Sequence, residues 1–214
     1  MTAKLIDHMG SDITVVNAAR VSFNKRSPRN KPIADKDIKL INYLAKHNHW
    51  TPFGHCSAQF HMRAPIFVAR QLGKHQVGLV WNEVSRRYVS DDPEVWHTKE
   101  WRKATDDKKQ GSSEELVTSP SIINHIYGDA IRHTTDAYKA LLDQGVCEEQ
   151  ARAVLPQGMY TEWYWSGSIA AFARVCKLRL ASDTQKETRD IVTDIDNQLV
   201  HRFPISWKAL QGTM

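Results

Sequence analysis

Residues Cys56–Tyr88 read CSAQFHMRAPIFVARQLGKHQVGLVWNEVSRRY, and two structural periods meet inside them. From Cys56 to Met62 the pattern alternates: Ala58, Phe60 and Met62 fall on one side, Ser57, Gln59 and His61 on the other. A repeat of two puts successive side chains on opposite faces, so this is a strand covered on one face. Pro65 suits the first turn of the following helix and Gly73 suits its end, which places Arg70 and Gln71 in the last turn. The residues after Gly73 therefore emerge from a helix terminus, where Arg70, Lys74, His75, Arg86 and Arg87 surround Gln71, Asn82, Glu83 and Ser85. So many cations and directional hydrogen-bonding groups beside an apolar segment suit an anion-binding site better than a packing surface.

Working outward, Asp12 can cap a short helix over Ile13–Arg20, and Ser22–Pro32 is a polar loop carrying Lys25, Arg26, Arg29 and Lys31. Ile38, Ile41, Leu44 and Ala45 recur at helical spacing, with Asp35 a candidate N-cap and an end near His47–Trp50. On the C-terminal side, an amphipathic pattern from Ile122 to Leu142 is stopped by Gly145. A short helix from Glu148 ends before Pro156, and Met159–Trp165 is rich in strand formers. Helices are expected over Ser168–Leu178 and Thr184–Phe203, with Pro204 closing the last. Asp91–Pro120 shifts toward Asp, Glu, Lys, Ser and Gly around TDDKKQGSSEE, which marks a surface insertion at about 91–120. Strands and helices mix without regular βαβ spacing, so the fold class is α+β, a small mainly antiparallel sheet flanked by several helices in a single domain over 1–214.

Composition narrows the function classes. The chain has 214 residues, 41% hydrophobic and 25% charged, as expected of a globular protein and not of a disordered one. No apolar run approaches the roughly 20 residues that span a bilayer, and MTAKLIDHMGSD lacks the parts of a signal peptide, so no membrane partner and a cytoplasmic location are expected. Cys56, Cys147 and Cys176 are odd in number and lack CxxC spacing, which argues against a disulfide framework and a zinc site. His49 and His55 find no third ligand at a convincing spacing, so no metal is expected. The net charge of +5 makes anionic partners reasonable without choosing between nucleic acid and small phosphorylated molecules.

Six blocks choose between them. AARVSF at Ala18–Phe23, HWTPFGH at His49–His55, FHMRAPIFVARQ at Phe60–Gln71, NEVSRRY at Asn82–Tyr88, QARAVLP at Gln150–Pro156 and LRLASDTQKE at Leu178–Glu187 resemble, in the same order, blocks of the flavin-dependent thymidylate synthases. Ordered agreement of this kind is more specific than any single short motif. That family's signature has an Arg-His-Arg triplet; here it reads Lys74-His75-Gln76, and eight residues separate Gln76 from Ser85, one more than in the family pattern.

The resemblance implies a fold like that family's and a reaction in which deoxyuridine monophosphate (dUMP) is methylated at C5 by methylenetetrahydrofolate, with FAD carrying reducing equivalents from NADPH. It implies dUMP contacts from Gln71, Lys74, Glu83, Ser85, Arg86, Arg87, Tyr88, Arg152 and Arg179, with Arg179 the catalytic group that polarises the pyrimidine. It implies flavin contacts from His49, Thr51, Lys74, His75, Gln76, Glu83, Ser168 and Arg174. Ser168, Ala170 and Arg174 stand where the family usually shows Asn, Arg and Asn or His, and Gly54 where it commonly has Glu. The resemblance also implies a homotetramer with shared active sites, no nucleic-acid partner and no nucleophilic cysteine. Two rival readings are a catalytically silent nucleotide-binding homologue and a basic nucleic-acid-binding module; the latter predicts steep salt dependence and no bound chromophore.

Overall fold

The computed structural model describes residues 1–98, 100–104 and 111–212. Among them, strands β1 (Thr2–Met9), β2 (Ser57–Pro65), β3 (Leu79–Glu83) and β4 (Tyr160–Ser168) form one sheet in the order β1-β2-β4-β3, antiparallel throughout. Eight helices surround it: α1 (Asp12–Arg20), α2 (Asp35–Lys46), α3 (Ile66–Leu72), α4 (Pro120–Asp143), α5 (Glu148–Ala151), α6 (Ile169–Arg179), α7 (Lys186–Arg202) and α8 (Pro204–Gln211). The α+β expectation holds.

The alternation in β2 does what its period predicts. Ala58, Phe60, Met62 and Ala64 are buried, while Ser57, Gln59, His61 and Arg63 are only partly covered. Phe60 lies opposite Trp165 and Met62 opposite Trp163 on β4, so four large apolar side chains share one face. Phe172 of α6 meets the rings of Phe60 and Trp165 edge-on at 5.2 and 5.3 Å, and Ile191, Ile195 and Leu199 of α7 belong to the same core. Burying a side chain such as Phe60 or Phe172 contributes about 1.5–3 kcal/mol. This core fixes α6 and α7 over the sheet, and with them Arg179 and Glu187.

Several local expectations are corrected. β1 carried no strand signal because only Ala3 of its eight residues is buried; pairing with β2 and the Gln198 side chain hold it. Gln198 accepts from the Leu5 N–H at 2.8 Å and donates to the Ala3 carbonyl at 2.7 Å. Asp12 does not cap α1, whose N-cap is Ser11. Its buried carboxylate instead accepts from the backbone N–H groups of Ile205 (3.1 Å) and Ser206 (2.8 Å), in the first turn of α8. Pro204 opens that helix, where its missing N–H costs nothing, instead of closing α7. Asp35 is the first residue of α2, after the N-cap Ala34, and Pro65 is the N-cap of α3.

The described parts of the 91–120 segment pack back on the rest of the chain. Val95 bridges Met159, and Arg102 bridges Leu116 in a small hairpin, with the Val117 N–H donating to the Trp101 carbonyl at 2.8 Å. Part of the TDDKKQGSSEE run, residues 105–110, lies outside the described residues. Of α4, only Tyr138 is buried, and its apolar residues Ile122 and Ile126 are 62% and 64% exposed.

Candidate active site

Three elements converge where α3 ends. Gln71 sits in the last turn of α3, Lys74-His75-Gln76 in the loop beyond, and Arg179 at the last turn of α6. Arg179 donates through Nε to Nε2 of His75 at 3.0 Å and through Nη2 to the Gln71 carbonyl at 3.3 Å. Burial holds the His75 imidazole below its ordinary pKa, and the Arg179 and Arg174 cations push it in the same direction. A neutral ring accepts from Arg179 at Nε2 and carries its proton on Nδ1.

The Gln71 amide is engaged at both ends. Its nitrogen donates to Oε1 of Gln185, and its oxygen accepts from the Thr188 hydroxyl at 3.1 Å. Gln185 in turn donates to Glu187 at 3.0 Å, which takes a two-oxygen contact from Arg102 at 2.8 and 3.0 Å. Burial opposes ionisation of Glu187, yet the Arg102 guanidinium, the residue's own backbone N–H and Gln185 outweigh it and lower the carboxyl pKa.

Beside this cluster a cleft of about 400 Å³ is lined by Ile66, Ala69, Arg70, Lys74, His75, Gln76, Leu79, Trp81 and Glu83. Glu83 is held at its mouth by the Thr161 hydroxyl (2.6 Å) and the Trp81 indole N–H (3.0 Å), and Trp81 stacks on the buried Trp163 at 4.3 Å. The loop floor is pinned: Arg174 donates to the Val77 carbonyl at 2.7 Å and the Ala170 carbonyl at 3.3 Å. Gly78 adopts φ +76°, and a Cβ there would lie 3.3 Å from that of Ala171. Ser168 caps α6 by accepting from the Ala171 N–H at 3.2 Å. An apolar wall with Arg70, Lys74 and neutral His75 at one edge fits a flat heteroaromatic group that carries phosphate, and FAD is such a group.

Not every expected residue joins the cluster. Ser85 to Tyr88 form a strap on the surface: Arg86 donates to the Asp91 carbonyl, Arg87 donates to Ser85 Oγ at 3.2 Å and lies over the Tyr88 ring at 5.1 Å, and Tyr88 is 78% exposed. Arg152 is exposed and donates to the Glu149 carbonyl at 3.2 Å. His49 packs edge-on against Tyr43 at 5.9 Å, and Thr51 is exposed. Among the described residues no hydrogen bond or ion pair links these groups to Arg179. Sequence reasoning missed Trp81, Thr188 and the roles of Gln185 and Glu187. The last two sat inside the quoted block, and strand β3 gave too short a pattern to place Trp81.

Cys56 and Cys176 are buried, and burial raises both thiols, that of Cys56 to about 11. Neither is an activated nucleophile. Among the described residues no group of three or more His, Cys, Asp or Glu could hold a metal ion, and no helix is long and apolar enough to cross a membrane.

The arrangement defines an α+β protein with a cation-edged, aromatic-walled cleft suited to anionic heteroaromatic ligands. The family profile described as "Thymidylate synthase complementing protein" matches residues 4–205. A flavin-dependent thymidylate synthase of Thermus thermophilus is 36% identical over 208 residues, covering 97% of this chain and 74% of that protein. One from Thermosipho africanus is 35% identical over 211 residues, covering 96% and 89%. Among solved structures, the UMP/dUMP methylase PolB of Streptomyces cacaoi bound with 5-Br dUMP superposes with a TM-score of 0.86 at 27% identity, over 99% of this chain and 94% of that one. A second PolB structure, bound with 5-Br UMP, gives 0.81. The chain belongs to the flavin-dependent thymidylate synthase family.

Proposed function

We infer that this protein converts dUMP to dTMP, moving one carbon from methylenetetrahydrofolate to uracil C5, whose hydrogen leaves as a proton, while two electrons originating in NADPH reduce that carbon to methyl. FAD, when bound, supplies the hydride. The observation that carries the reading is the meeting of Arg179, His75 and Gln71 from separate elements beside a cation-edged cleft, in a chain of this family. Arg179 would stabilise negative charge developing on the pyrimidine, oriented by neutral His75. Gln71 and Lys74 would bind the nucleotide with Glu83, while Lys74, His75, Gln76, Ser168 and Arg174 would shape the flavin side. Neither buried thiol is needed for attack on C6.

Ser85, Arg86, Arg87, Tyr88 and Arg152 would reach the nucleotide, and His49 and Thr51 the flavin, across subunit boundaries in a homotetramer. Two observations support that assembly: Arg87, Tyr88, Arg152, His49 and Thr51 are exposed on the single chain, and so are the apolar residues Ile122 and Ile126 of α4. Subunit interfaces commonly supply such walls. The three free cysteines suit a reducing compartment such as the cytoplasm.

The test is release of tritium from C5-labelled dUMP with methylenetetrahydrofolate, NADPH and FAD, with UMP run in parallel. Flavin-dependent release from dUMP is the expected result. A protein that binds dUMP without any release would be the silent homologue, and one that lacks flavin absorbance and binds DNA or RNA with a steep salt slope would be the nucleic-acid module.

A further inference from the structure

The Arg102–Glu187 pair lies at the end of an unbroken series of side-chain contacts that reaches the nucleotide cluster. Arg102 comes from the 101–117 hairpin, where Ser112 Oγ accepts from its Nε at 2.6 Å. Its ion pair with Glu187 is largely shielded, with side-chain exposures of 19% and 9%. Beyond it run Gln185, Gln71 and Thr188, the last fully buried.

The chemistry of that series gives it a direction. A primary amide has one donating and one accepting end, and either end can face a neighbour. The Thr188 hydroxyl both donates and accepts, so it cannot decide which end of Gln71 it meets. An ionised carboxylate only accepts. Glu187 therefore requires the amino end of Gln185, which turns the Gln185 oxygen toward Gln71, which in turn commits the Gln71 amino group to Gln185 and its oxygen to Thr188. One N–H and one lone pair of Gln71 then remain in fixed positions.

We propose that Arg102 is a positioning residue for nucleotide recognition: by holding both Glu187 oxygens it fixes that acceptor against Gln185 and so sets, through Gln185, the hydrogen-bonding face that Gln71 offers to the nucleotide. The proposal rests on the reading that Gln71 contacts dUMP. It gives the 91–120 segment a part in substrate selection although no residue of the hairpin need touch substrate. A neutral amide at position 187 allows both glutamine amides to rotate together by half a turn with the series still paired, and Gln71 then offers the nucleotide a donor in place of an acceptor in part of the population.

The test compares the full-length wild type with Arg102→Ala, Arg102→Lys and Glu187→Gln by calorimetric titration with dUMP and by steady-state kinetics, with thermal melting as the fold control. Arg102→Ala and Glu187→Gln are expected to raise Kd and KM for dUMP about tenfold, the worth of one hydrogen bond of this kind, while kcat changes by less than about twofold. Arg102→Lys keeps the charge and is expected to recover most of the affinity. Should Arg102→Ala fold poorly because a carboxylate is left unpaired, Glu187→Gln still reads the effect, since it removes the charge and preserves the shape. Unchanged dUMP affinity in Glu187→Gln overturns the proposal, as does a loss of melting temperature and kcat together with KM intact, which would make the pair a structural staple. Wild-type protein that fails to bind dUMP at all would instead overturn the functional reading on which the proposal stands.

Discussion

Arg179 and His75 are joined by a 3.0 Å contact in which the guanidinium donates and the imidazole accepts. The contact exists only while His75 is neutral. The folded pKa of His75 lies below its ordinary 6.5, so the fold favours the uncharged ring. Its contribution to stability is present above about pH 6.5 and is lost as pH falls through the folded value. Glu187, lowered from 4.5, acts in the same direction at more acidic pH. Histidine resonances followed by NMR are expected to show a depressed pKa for His75 that rises in Arg179→Ala, where a repelling cation has gone. The same variant is expected to lose about 10²–10³ in turnover with its circular dichroism unchanged; near-normal activity would remove Arg179 from the reaction.

Arg87 and Arg152 lie outside the cleft of one chain, so their predicted effects depend on assembly. Arg87→Ala and Arg152→Ala are each expected to weaken dUMP by about 1.5–3 kcal/mol while leaving the uncharged nucleoside less affected. Under the proposed assembly, mixing the impaired Arg87→Ala and His49→Ala proteins after mild dissociation is expected to restore part of the activity, because some sites regain both native residues. No recovery, together with a fully active monomer by light scattering, would place the whole site within one chain.

Gln76 lines the cleft, at the position where the resemblance to the family's triplet implies an arginine. Gln76→Arg is expected to tighten FAD, since a guanidinium adds a charge-assisted, forked contact to phosphate. Arg174 already clamps the Val77 carbonyl and so fixes the loop that follows Gln76. Fluorescence titration giving equal or weaker FAD affinity would show that the clamped loop directs residue 76 away from the flavin.

Asp12→Ala is expected to destabilise the protein by about 1–3 kcal/mol, because two backbone N–H groups at the start of α8 lose their acceptor. Thermal or denaturant unfolding measures it, and Asp12→Asn, which retains one accepting oxygen, is expected to recover part of the loss. Equal stability of Asp12→Ala and the wild type would mean that water serves the helix terminus as well.

What was legible in the sequence followed from strong local periodicity. β2 alternates cleanly because one face packs on α6 and α7 and the other does not, and α2 and α4 show their helical repeat over three turns or more. β1 was hidden because an edge strand with one buried residue has no period to read. α8 was hidden because a proline after a helical pattern reads as a stop, although the same residue is also favoured at a helix start, as Pro204 is here. In the site, Arg179, His75 and Gln71 were found through their blocks. Apart from the local Gln185–Glu187 bond, their mutual contacts and the chain from Arg102 through Glu187 join residues 85 to 117 apart in sequence, a separation that no local pattern encodes.

The bond between Asp12 and the start of α8 spans 193 residues, which has a consequence for how the molecule is made. Asp12 leaves the ribosome well before Ser206, so the nascent chain carries a carboxylate destined for the interior with none of its N–H donors to meet until α8 has been made. β1 waits in the same way for Gln198. Closure of such distant contacts is slow and comes late, so β1 and α1 can seat fully only when α7 and α8 have left the exit tunnel, and a product cut off before Gln198 would leave β1 without the side chain that holds it.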